Sequence, residues 1–166
     1  MAWIGVGANI PGPDGSPPLE TCRKAVAALD VFPGMRLCGL SRWFVSAPVP
    51  PSSQPDYINA VAALRVDAGQ SIDPALLLAR LMQLEAACGR RRGAANAART
   101  LDLDIIAIGG LVRTTPDPIL PHPRAHERAF VLAPMDDVAP HWVHPVFGRT
   151  AAELLAGLPP QAIRTL

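Results

Sequence analysis

The chain predicts an α+β fold, helices packed on an antiparallel sheet, and three observations carry that expectation. Apolar residues alternate in short stretches that suit strands. They recur every three or four positions in two longer stretches that suit helices, and glycine or proline separates one kind from the other. In order, the periods run strand, helix, strand, strand, helix, strand. That is the βαββαβ arrangement of a ferredoxin-like three-layer sandwich. With 166 residues, 49% of them hydrophobic, the chain is long enough to bury a core, and one domain spanning 1–166 is expected.

Each element has a local reason. Ala2 to Ala8 reads as a short strand. A helix follows from about Pro17 to Asp30, with Leu19, Cys22, Val26 and Leu29 on one face. A second strand is expected near Arg36 to Ser46, and Tyr57 to Val66 alternates as a third. Asp73 as N-cap and Pro74 at the first helical position open a second helix that Gly89 ends. Leu77, Leu81, Leu84 and Cys88 form its buried stripe. The strand RTLDLDII, Arg99 to Ile106, comes next, then a proline-rich segment, a helix-like run near His126 to Leu132 and a final helix around Thr150 to Leu158. The 19 prolines concentrate at 11–18, 48–55, 116–123 and 134–145, which marks these stretches as loops.

Composition excludes several classes of function. A net charge of +1 gives no global field to draw nucleic acid or an anionic membrane, so any anion site must be local. An RNA-binding module on this fold would need an aromatic sheet face and a basic balance, and neither is present. Cys22, Cys38 and Cys88 are odd in number and without a CxxC pair, which argues against a disulfide framework or a zinc site. The opening residues lack the pattern of a targeting signal, and no stretch approaches the length of a membrane span. The expectation is a cytoplasmic monomer acting on small molecules, with no nucleic-acid or membrane partner.

Chemistry concentrates in a few places. Asp102 and Asp104, one residue apart in a run of aliphatics, point to one strand face while Leu101, Leu103 and Ile105 point to the other. With Arg90, Arg91, Arg92 and Arg99 close by, the pair offers hard oxygen ligands for magnesium and planar donors for the phosphates of a bound polyphosphate. A solvated edge strand carrying two acids satisfies the same alternation. Tyr57 and Asn59 share a face, where a flat heterocycle could stack on the ring and hydrogen-bond to the amide; a core tyrosine beside a surface asparagine is the plainer alternative. Gln54, Pro55 and Asp56 form a polar loop just before them. LPHPRAHERAFVLAPM sets His122, Arg124, His126 and Arg128 ahead of Phe130, a second stacking surface or else part of the core. Zinc at His122 and His126 is excluded by Pro123 and the lack of a third ligand. GVGAN, Gly5 to Asn9, has no nucleotide-binding fingerprint, but a strand ending there could line a pocket.

Four separated pieces, the GAN turn, SQPDYINAV, EAACGRRR followed by RTLDLDII, and LPHPRAHERAFVLAPM, together closely resemble the 6-hydroxymethyl-7,8-dihydropterin pyrophosphokinase family of the folate pathway. The resemblance runs from about residue 4 to residue 140, in family order. It implies transfer of pyrophosphate from ATP to the pterin hydroxymethyl group, with ATP as co-substrate and two Mg2+ ions on Asp102 and Asp104. It places Ser46, Ala47, Pro48, Val49, Tyr57, Asn59 and Phe130 at the pterin, and Glu85, Arg90, Arg92, Arg99, Ile105, His122 and Arg128 at ATP. Arg90, Arg92, Arg99, Asp102 and Asp104 would carry catalysis. The chain departs from the family pattern in the GAANAA loop before Arg99, which is one residue short and has Asn96 about where a tryptophan is familiar. Ala98 stands for a proline, Met82 for a glutamine, and GAN for GSN. The alternative reading is a divergent homologue that binds pterin and nucleotide but turns over slowly or acts on another pterin.

Overall fold

A computed structural model, which describes residues 1–90 and 97–166, keeps the expected order of elements. The strands are β1 (Ala2–Ala8), β2 (Met35–Leu40), β3 (Phe44–Ser46), β4 (Tyr57–Val66), β5 (Asp102–Ile108) and β6 (Ile163–Thr165). The helices are α1 (Pro18–Leu29), α2 (Pro74–Ala87), α3 (Ala129–Val138) and α4 (Ala151–Ala156). The strands form one sheet in the order β5-β1-β4-β3-β6, with β2 also paired to β4, and every pairing is antiparallel.

The stretch expected as one strand from Arg36 to Ser46 is divided. Its register against β4 shifts between Leu37 and Gly39, and the ladder is interrupted at Ser41 before β3 resumes it. Ser41 bridges the interruption: its N–H donates to Val61 O and its hydroxyl oxygen accepts from Val61 N, both at 2.9 Å. The hydroxyl thus stands in for a missing main-chain acceptor. Together β2 and β3 fill the place of one strand beside β4, so the ferredoxin-like topology survives. β6 is an addition that three residues with one large aliphatic do not announce.

Alternation divides the sheet into two faces. Ile4 and Val6 of β1, Leu64 of β4, and Leu103 and Ile105 of β5 are buried with Cys22, Val26 and Leu29 of α1 and with Leu77 and Leu81 of α2. On the opposite face Val61 and Ile106 meet Leu132 and Met135 of α3, Leu154 of α4 and Trp142. Three layers result. In α2, Asp73 caps as expected, its side chain accepting from Ala75 N at 2.9 Å and Leu76 N at 3.2 Å. Gly89, at φ +80, ends the helical turn. Leu84 and Cys88 are only partly buried, as is Leu19 in α1, while Glu85 is buried. The helix expected near His126 to Leu132 becomes a 3-10 turn, Ala125–Glu127, followed by α3, because Arg128 between them takes an extended conformation.

Ser41→Ala should cost about 1–3 kcal/mol in equilibrium urea unfolding, since it orphans the buried Val61 N–H; an unchanged midpoint would remove the bridging role. Burial pushes the Cys22 thiol up to about 12. A thiol reagent at neutral pH should therefore label the exposed Cys38 in the native protein and reach Cys22 only on unfolding, as mass spectrometry of the labelled peptides would report.

Candidate active site

The site lies on the α3 face of the sheet, and alternation builds its floor. Asp102 and Asp104 project from β5, and Gly7 and Gly5 of β1 stand opposite them in register. Across β1, the same two glycines face Asn59 and Val61 of β4. Between the carboxylates and Asn59 the sheet surface therefore carries no side chain. A Cβ on Gly7 would lie 3.3 Å from Asn59 Oδ1. The GVG segment works here as bare floor. Glycine at alternate positions of an otherwise apolar strand was the available signal.

The carboxylates differ in their partners. Asp102 is held from both sides, with Oδ1 2.6 Å from Arg90 Nη1 and Oδ2 2.5 Å from Arg99 Nη1. Arg90 also pairs with Glu85, whose Oε1 accepts from Leu103 N at 2.7 Å. Burial pushes the Glu85 carboxyl up, opposed by the Leu103 N–H and Arg90. Glu85 thus sits behind Arg90, joining α2 to the outer edge of β5. Asp104 has a more distant partner, His122 Nε2 at 3.9 Å. Desolvation and the neighbouring Asp102 charge push its carboxyl above the usual range. His122 is shifted down by desolvation, against the pull of Asp104. Its Nδ1 accepts from Arg124 N at 3.1 Å, so in the neutral ring the proton lies on Nε2, towards Asp104.

Above this floor is a cavity of about 240 Å³. Ser46, Ala47, Pro48, Val49 and Pro50 form one wall with Tyr57; Phe130 belongs to α3. Arg90, Arg99, Asp102, Asp104, Arg124 and Arg128 supply the charges, with the His122 ring beside them. The Arg128 guanidinium lies over the Phe130 ring, 5.4 Å from its centroid. Asn59 opens into an adjoining recess with Gly5, Gly7 and Phe130, and its Nδ2 donates to Ser46 Oγ at 2.9 Å. The cavity thus has an aromatic and amide side and a charged side.

Not every expected residue reaches the cavity. The Ile105 side chain is buried in the α1–α2 core, on the face away from the carboxylates, which leaves only its main chain for a ligand. Arg92 and Asn96 lie outside the described residues. His126, grouped with His122 in the sequence, instead meets His144 and Phe147, with centroids 6.0 and 4.6 Å away. Asn9 proves more central than its position suggests. It is buried; its Oδ1 accepts from Arg99 N at 2.8 Å and its Nδ2 donates to Gln54 Oε1 at 3.1 Å, the atom that also accepts from Tyr57 OH at 3.2 Å.

No three His, Cys, Asp or Glu side chains converge among the described residues. Two adjacent carboxylates beside arginines are too few for an all-protein cage, yet they suit a hard cation that completes its shell with phosphate oxygens and water. A cation there would offset the Asp102 charge that, after desolvation, helps push the Asp104 carboxyl up.

Residues 3–140 match the model of the family described as 7,8-dihydro-6-hydroxymethylpterin-pyrophosphokinase. A 2-amino-4-hydroxy-6-hydroxymethyldihydropteridine pyrophosphokinase of Synechocystis is 37% identical over 93% of this chain and 74% of its own length. The enzyme of that name from Pseudomonas aeruginosa is 35% identical over 99% of this chain and 95% of its own, and that from Haemophilus influenzae 33% over 87% and 84%. On the family match and these identities over most of its length, the chain belongs to the 7,8-dihydro-6-hydroxymethylpterin-pyrophosphokinase family.

Proposed function

We propose that this chain transfers the terminal pyrophosphoryl group of ATP to the hydroxymethyl group of 6-hydroxymethyl-7,8-dihydropterin, a step of folate biosynthesis. The pterin hydroxyl oxygen bonds to the β-phosphorus and gives its proton to solvent, the bond from that phosphorus to the α,β-bridging oxygen breaks, and AMP leaves. One observation carries the reading: a single cavity has paired carboxylates and arginines on one side and Tyr57, Phe130 and the Ser46–Val49 stretch on the other, with Asn59 in the recess adjoining them.

Tyr57 and Phe130 are proposed to stack on the pterin. Ser46 holds the Asn59 Nδ2, which leaves Oδ1 to accept from the pterin ring N–H groups. Ala47, Pro48 and Val49 line the pocket beside Ser46. Arg90, Arg92, Arg99, His122 and Arg128 meet the phosphates of ATP, and the main chain of Ile105 lies on the nucleotide side. Glu85 acts there by holding Arg90. Asp102 and Asp104 would hold two Mg2+ ions, whose charge would offset that of the ATP phosphates. Arginine forks then stabilise charge on the transferring oxygens, and transfer of this kind depends on positioning more than on a dedicated base. All these groups come from one chain, proposed to act as a cytoplasmic monomer; no described helix is long and apolar enough to cross a membrane.

The deciding assay is AMP release from ATP, magnesium and the pterin. Asp104→Ala should abolish release while leaving the circular dichroism spectrum unchanged, and retained turnover would remove the metal assignment. Pterin and nucleotide binding without AMP would favour the slow or divergent homologue instead. Arg99→Ala should lower kcat/KM by about ten- to a hundredfold, the worth of one charge-assisted hydrogen bond; a loss below about threefold would place Arg99 outside the reaction.

A further inference from the structure

Two walls of the proposed pterin cleft are held by a segment that follows them in the chain and lies beyond the residues matching the family. β6 runs antiparallel to β3, with Ile163 opposite Ser46, Arg164 opposite Val45 and Thr165 opposite Phe44. The pairing continues at both ends: Ala47 N donates to Ala162 O at 3.2 Å, and Leu166 N to Trp43 O at 2.9 Å. β3 has only three residues, and β6 converts it from an edge into an interior strand. Ser46 ends β3, carries the hydroxyl that orients Asn59, and leads directly into the wall at Ala47.

Just ahead of β6, Gln161 reaches the other wall. Its Oε1 accepts from Ala129 N at 2.9 Å, and its Nε2 donates to Glu127 O at 2.9 Å. Ala129 is the first residue of α3, and Phe130 the second. The N-cap position belongs to Arg128, which makes no side-chain cap. Gln161 therefore supplies from 32 residues away an acceptor for one of the first-turn N–H groups that the helix itself leaves unpaired, and its amide ties the preceding 3-10 turn to the same point. One short strap thus holds the Ser46–Asn59 wall through main-chain pairing and the Phe130 wall through a side-chain amide.

We propose that residues 159–166 are a positioning strap for the pterin cleft, in which Gln161 sets the Phe130 ring by capping α3. The proposal rests on the pterin reading above. Topology makes it selective: β6 lies at one edge of the sheet, whereas β5, which carries the two carboxylates and is joined to α2 through Glu85, lies at the other. Loss of the strap should therefore weaken pterin binding more than nucleotide binding, which it touches only through Arg128, between the two main-chain groups that Gln161 holds.

Calorimetry tests this on the full chain, on Gln161→Ala, on Gln161→Glu and on a chain ending at Leu158. Each is titrated with a non-hydrolysable ATP analogue and magnesium, then, once saturated, with 6-hydroxymethyl-7,8-dihydropterin. Gln161→Ala should raise the pterin Kd about three- to tenfold, the loss of one or two modest hydrogen bonds, and move the nucleotide Kd less than about threefold. Gln161→Glu keeps the acceptor for Ala129 N–H, loses the donor to Glu127 O, and should fall between. The shortened chain should lose more pterin affinity than any point variant; if it fails to fold, Gln161→Ala decides. In turnover the loss should appear in KM for the pterin rather than KM for ATP. Unchanged pterin affinity in Gln161→Ala, or equal loss of both ligands, would overturn the strap. A full-length chain that takes up nucleotide but no pterin would overturn the functional reading, and the strap with it.

Discussion

Asp102 and Asp104 share one face of one strand, roughly 6.6 Å apart along it, and the site depends on how that like-charge pair is tolerated. Arg90 and Arg99 answer for Asp102 from opposite sides. Arg90 is steered by Glu85, which can afford its burial because Leu103 N–H and the guanidinium both reach its carboxylate. Glu85 thereby fixes the end of α2 to the main chain between the two aspartates. Asp104 has only the more distant His122, and desolvation together with the Asp102 charge pushes its carboxyl up. The cluster is costly as a fold element and suited to a polyphosphate for the same reason.

The charged side communicates with the aromatic side through Asn9. Its amide ties the Arg99 main chain to Gln54, and Gln54 takes the Tyr57 hydroxyl. A buried amide with donors and acceptor all engaged is rigid, because rotating it would orphan groups on both sides. Arg99 and Tyr57, 42 positions apart in the sequence, are therefore linked through two side chains, Asn9 and Gln54. The proposed pterin wall is braced again from outside by β6 and Gln161, so each half of the cleft has its own anchor and Asn9 joins them.

Much of this was legible before any coordinates. Period-2 alternation put Asp102 and Asp104 on one face and Tyr57 and Asn59 on a shared one; the described structure keeps both placements because a strand's faces follow from sequence parity alone. Asp73, Pro74 and Gly89 bounded α2 for equally local reasons. What stayed hidden depends on distant partners. Ser41 divides a strand through a bond to Val61, and Gln161 caps a helix 32 residues earlier. Glu85 and Ile105 belonged to motifs tied to ATP, but one lies behind an arginine and the other turns its side chain into the core. Spacing identifies which face a residue takes, and packing decides whether that face is open.

The glycines of β1 complete the physical argument. β1 lies between β5, with its carboxylates, and β4, with Tyr57 and Asn59, so two substrates held by these groups must meet above it. Transfer requires oxygen and phosphorus to approach to about 3–3.5 Å in line, which any side chain standing between them would obstruct. Gly5 and Gly7 occupy the two positions of β1 that face upward there. A methyl group at Gly7 would also press on Asn59 Oδ1, the atom proposed to receive the pterin. Valine or isoleucine at either position would suit the strand better. Glycine gives up strand stability to leave the two ligands a common floor.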